Sequence, residues 1–164
     1  MELNKFIRIN TNDTSSDFKD FLNSVLYDLV HDLWNKRKFR IDELEKARLT
    51  FEILNEYPDS IVMSAMWHNL CGMKISNETL EKILELYLES FSNEKLKSCS
   101  LASLFNDVLE SEKFGENCLK ILIDLSQNIS SELKIKIADG LNYEACSHLD
   151  QNLKYEFENI ASKT

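Results

Sequence analysis

Residues 76–91 read SNETLEKILELYLESF. Ser76 is a favourable helix N-cap. Behind it Leu80, Ile83, Leu84, Tyr87, Leu88 and Phe91 recur at three and four residues, the period of one helix face. Glu78, Glu81, Glu85 and Glu89 share that spacing and, at about 100° per residue, fall on the opposite side. The stretch therefore predicts an amphipathic helix with one face in a core and an acidic stripe on the other.

The same period runs through the flanking chain. Phe18, Phe21, Leu22, Val25, Leu26, Leu29, Val30, Leu33 and Trp34 predict a helix from about 16 to 38, closed by the basic run Lys36-Arg37-Lys38. A second helix begins near Asp42 and ends before Pro58, which disfavours helical geometry at Tyr57. A third covers about 59–71 and stops at Gly72. Downstream of 76–91, Ser92 predicts the cap of a helix reaching Ser111, bent near Ser98–Ser100. A further helix follows Gly115 as far as Asn128. Ser130 or Ser131 caps the next, interrupted at Gly140, and the last covers about 149–162. Residues 1–15 read as an arm or polar loop, with a short strand as an option over 3–9.

Across 164 residues there are three glycines and one proline. Sheets and irregular loops draw heavily on both, so the chain is expected to be a single all-α domain. Seven or eight helices would form an irregular bundle or a short HEAT-like solenoid. A faint echo supports the second option: Ser76-Asn77-Glu78-Thr79-Leu80 returns as Ser92-Asn93-Glu94-Lys95-Leu96. Capping preference alone also produces such a match.

The chain carries a net charge of −9. Residues 1–54 hold nine Lys or Arg against ten acids, and residues 55–164 hold ten against eighteen, so the acidity belongs to the later two-thirds. That balance argues against nucleic acid and against an anionic membrane, and favours a basic protein partner. No apolar run approaches the ~20 residues of a membrane span, and residues 1–8 lack the apolar stretch of a signal peptide. A cytoplasmic location is expected. Cys71, Cys99, Cys118 and Cys146 sit in apolar helical patterns and read as reduced core thiols.

Candidate chemistry is sparse. Asp28-x-x-His31 is half of a di-iron helix pair, but Glu144 and His148 have the wrong spacing for its mate. His31-Asp32 is a dipeptide of metal-dependent phosphohydrolases, which need more histidines than the three present. His68 and Cys71 share a helix face, yet a structural zinc site needs four ligands, and Cys146 and His148 lie far along the chain. The cluster Lys36-Arg37-Lys38-Phe39-Arg40, beside Trp34, fits a helix end better than a nucleic-acid contact. Glycine-rich phosphate loops and nucleophile elbows have no counterpart. These readings predict no metal, no cofactor and no catalysis. An unrecognised metal site on a helical enzyme is the one catalytic alternative. The stripe Glu78, Glu81, Glu85 and Glu89 is the candidate partner-binding site, set against an ordinary solvated face.

In size, acidity, helical content and lack of a catalytic motif, the whole chain resembles the bacterial immunity proteins, small cytosolic inhibitors of nuclease toxins. No signature motif carries the resemblance, so no residue role comes with it. It implies direct binding to a toxin, with acidic surface meeting a site built for RNA or DNA. A helical scaffold that recognises an endogenous protein is the alternative.

Overall fold

Five helices begin at a side chain that caps their first free N–H groups. Asp42 Oδ1 accepts from the Glu45 N–H at 2.8 Å, and Asp59 Oδ1 from the Ile61 N–H at 2.7 Å. Ser76 and Ser130 each accept from the N–H three residues on, Thr79 and Leu133. Asp150 accepts from both Asn152 and Leu153. Each cap contributes about 0.5–2 kcal/mol. Together they set the boundaries that the scarcity of glycine and proline leaves open.

A computed structural model describes residues 16–35 and 41–163. The expected arm or strand at 1–15 and the basic run at 36–40 lie outside the described residues. The described residues form eight α-helices: α1 (Ser16–Asn35), α2 (Glu43–Glu56), α3 (Ser60–Gly72), α4 (Asn77–Glu89), α5 (Lys97–Ser103), α6 (Gly115–Asp124), α7 (Ser131–Gly140) and α8 (Gln151–Ser162). Helix α5 runs directly into a π-helical turn, Leu104–Leu109. Among the described residues there is no strand, and the fold is all-α as expected.

The helices form two layers. In one, α2, α4, α6 and α8 each pack on the next. In the other, α1 packs on α3 and α3 on α5 with its π-turn. Helix α7 completes that layer where Gly140 lies against the Phe105 ring. The eight described helices form an all-α bundle.

Tyr87 stands at the centre of the core. Its ring meets the edge of Trp67 at 5.1 Å and of Phe91 at 5.3 Å, and Phe51 tilts against it at 6.1 Å. One residue on α4 thereby joins α2 and α3. Such pairs add ~0.5–1.5 kcal/mol each beyond area burial. Trp34 donates its indole N–H to Thr50 at 3.0 Å, tying α1 to α2.

Several sequence expectations are corrected. The helix expected from Ser92 begins at Lys97, because Ser92 turns back to the Glu89 carbonyl and Asn93 accepts from the Lys95 N–H. The irregularity expected at Ser98–Ser100 falls instead at Leu104–Leu109. The α-helix after Gly115 ends at Asp124 and passes into a 3₁₀ turn, Ser126–Asn128. Gly140 ends α7 and does not interrupt it. Phe21, placed by its spacing on the core face, is 59% exposed. It lies about 140° around the axis from buried Leu26 at 100° per residue. Cys118 and Cys146 are buried, but Cys71 and Cys99 are only half-buried.

Candidate functional site

The acidic stripe lies where its period puts it. Leu80, Ile83, Leu84 and Tyr87 are buried, which turns Glu78, Glu81, Glu85 and Glu89 to solvent on the outer side of α4. Lys82 Nζ reaches Glu78 Oε1 at 2.7 Å, one turn away. That hydrogen bond, and then the lysine's charge, holds the Glu78 carboxyl below the usual carboxylate range. The same bond raises the Lys82 ammonium, aided by the charges of Glu78, Glu85 and Glu81. Among the described residues, no ion pair involves Glu81, Glu85 or Glu89.

Neighbouring helices of its layer carry exposed carboxylates as well. Glu52 and Glu56 on α2, Glu116 and Asp124 on α6, and Glu156 on α8 are exposed. Opposing them are Arg48, paired with Glu45 at 3.6 Å, and Lys120, paired with Glu116 at 2.9 Å. Hydrogen bonds from Asn117 to Asn77 at 2.9 Å and from Asn93 to Asn55 at 3.1 Å tie the helix ends of this layer. Its carboxylates stand on regular, mutually braced helices.

The other candidates do not assemble. His31 stacks on Tyr27 with ring centroids 6.1 Å apart, and Asp28 is exposed. His68 and His148 are exposed, while the Cys71 thiol faces the Ser111 hydroxyl at 3.7 Å. Among the described residues, no three His, Cys, Asp or Glu side chains converge as metal ligands. Burial pushes every cysteine thiol up, Cys118 furthest. All four are therefore protonated and poorly nucleophilic near neutral pH. No helix of the described residues is long and apolar enough to cross a membrane.

Two features were not read from the sequence. Asp107, in the π-turn, accepts from Ser64 at 2.8 Å and Ser103 at 2.7 Å on one oxygen. The Ser103–Asp107 spacing of four was visible, whereas Ser64 lies on another helix. The second is a hollow between α5 and α7, lined by Phe91, Lys97, Leu101, Ser130, Glu132, Leu133 and Lys136. Lys136 and Lys97 converge on Glu132 at 2.7 and 3.4 Å and hold its carboxyl down. Its volume of about 40 Å³ is far below the several hundred Å³ of a small-molecule site.

No family model matches the chain, and neither a curated protein nor a solved structure matches it.

Proposed function

We propose that this chain binds and neutralises a basic protein, in the manner of an acidic immunity protein acting on a nuclease-type toxin. The observation that carries the reading is the outer face of α4, where Glu81, Glu85 and Glu89 stand exposed with no ion pair among the described residues. A nuclease surface gathers lysine and arginine to hold phosphates. Carboxylates held on rigid helices complement that surface, speed encounter and keep nucleic acid out. Little ordering is required on binding, because the stripe belongs to a packed helix. The reading calls on no cofactor and no catalysis.

The test is co-expression with the protein encoded by the neighbouring reading frame, followed by isolation of the complex. Glu78→Gln, Glu81→Gln, Glu85→Gln and Glu89→Gln combined are expected to leave the fold intact and slow association. Raising salt is expected to slow association of the parent more than it speeds dissociation. Unchanged association rate and affinity in the fourfold variant would return the stripe to an ordinary solvated face. Failure of any basic partner to form a complex would overturn the reading.

The two-layered helical packing also supports a second reading, a scaffold or regulator of an endogenous protein. Binding whose association rate is indifferent to salt would favour it.

A further inference from the structure

The α7–α8 helix pair carries an unusual exposed surface. Three of the five large apolar side chains that stand exposed among the described residues belong to residues 131–163: Ile135 at 50%, Tyr143 at 62% and Tyr155 at 66%. Asn142 Nδ2 bonds the Ala138 carbonyl at 3.3 Å and Glu158 Oε1 at 3.2 Å. The loop bearing Tyr143 is thus drawn against the turn of α8 that follows Tyr155 by three residues. The Tyr143 ring rests on Phe105, with centroids 6.0 Å apart, and so is fixed on one side and open on the other.

Charge at this edge is one-sided. Among the described residues, no lysine or arginine forms an ion pair with Asp139, Glu144 or Glu158. Lys154, four residues before Glu158, is buried and donates to the Cys146 carbonyl at 3.2 Å, and Lys136, three residues before Asp139, is engaged by Glu132 at 2.7 Å.

We propose that the exposed edge of the α7–α8 pair, from Tyr143 across Glu158 to Tyr155, docks an arginine-bearing segment of a partner protein. A second copy of the chain is disfavoured, because it would bring these carboxylates against their own kind in a molecule of net charge −9. A guanidinium satisfies both parts of the edge: its plane lies on a tyrosine ring and its fork pairs with a carboxylate. Lysine satisfies the second part only as a point charge. The proposal rests on the reading of the chain as a binder of basic protein, and adds where the anchoring contacts are made.

The probe is a synthetic peptide of alternating arginine and glycine, compared with its lysine counterpart. Both are titrated into the full chain with amide and tyrosine-ring resonances followed by NMR. Shifts centred on residues 139–158 and tighter binding of the arginine peptide, by about fivefold, are expected. Tyr143→Ser with Tyr155→Ser is expected to erase that preference with only a small fall in the urea midpoint, since both rings are largely exposed and the Tyr143–Phe105 contact alone is lost. Shifts centred on Glu78–Glu89, equal affinity for the two peptides, or a double variant that binds as the parent would each overturn the placement. Shifts on α4 would do so while leaving the acidic-binder reading standing. That reading fails separately, in the co-expression experiment.

Discussion

Gly115→Ala, Gly140→Ala and Gly72→Ala separate three reasons for a glycine. Among the described residues no residue has positive φ, so none of the three is kept for a left-handed backbone. What differs is the space beside each. A methyl on Gly115 would overlap the Leu109 carbonyl oxygen and stand 3.0 Å from its carbon and 3.2 Å from its Cα. Those are backbone atoms at the end of the π-turn, and they yield only if that turn moves. Overpacking of this kind costs about 1–3 kcal/mol, against a helix-propensity return of at most ~1 kcal/mol. A net loss of about 2 kcal/mol is expected. With a urea slope of ~2 kcal/mol/M, the midpoint falls by about 1 M. At Gly140 the obstacle is the Phe105 ring, a half-buried side chain able to swing aside, and a loss of about 1 kcal/mol is expected. At Gly72 nothing lies within 4 Å, and alanine is expected to stabilise by about 0.5 kcal/mol. Equilibrium urea unfolding followed by circular dichroism reads the series. A Gly115→Ala midpoint at or above the parent's, or Gly72→Ala falling lowest, would refute the packing argument.

Three further outcomes follow from named contacts. Burial raises the Cys118 thiol and, well above its usual value, the Tyr87 phenol. Below about pH 8 both are neutral in folded and unfolded chain alike, and above about pH 9 the unfolded chain ionises first. Stability is therefore complete on the neutral side and falls with rising pH by up to ~1.4 kcal/mol per unit for each group, until the folded groups titrate. Urea midpoints between pH 8 and 11 test this, and Cys118→Ala is expected to flatten the slope. Asp107→Ala strips the charged acceptor from the Ser64 and Ser103 hydroxyls and is expected to cost about 2–3 kcal/mol, with faster hydrogen exchange over 104–110. Thr50→Val orphans the buried Trp34 N–H at a cost of about 1–3 kcal/mol, read from the same unfolding curves.

The helices were legible because their determinants are local. Ser76 and Ser130 cap as their sequence context implies, and the three-four spacing of Leu80 to Tyr87 gave both the buried side of α4 and the exposure of its glutamates. The π-turn was not legible, because its central Asp107 answers to Ser64, 43 residues earlier, and no local pattern encodes that partnership. Phe21 was misplaced for a related reason: spacing marks an apolar stripe but not how much of its width a neighbouring helix covers. The stripe on α4 stood out through regular repetition. No local pattern encodes the tyrosine edge, because Asn142 and Glu158, whose contact draws the Tyr143 loop onto α8, lie 16 residues apart.

The absence of left-handed residues among those described bears on how this chain tolerates sequence drift. Connections elsewhere depend on a glycine or asparagine that no other side chain replaces without strain. Among the described residues, the links between helices use 3₁₀ turns and extended residues that any L-amino acid adopts. Selection on the connections then acts through caps such as Asp59 and Asp150, for which several residues are interchangeable. Of the glycines held in place, Gly140 is held by the Phe105 side chain and is free to change once that residue does, whereas Gly115 is held by the Leu109 backbone, which no substitution at 109 removes. Lineages carrying this fold could thus exchange nearly every linker residue, and a rapidly changing binding face could be refashioned without first repairing the turns that support it.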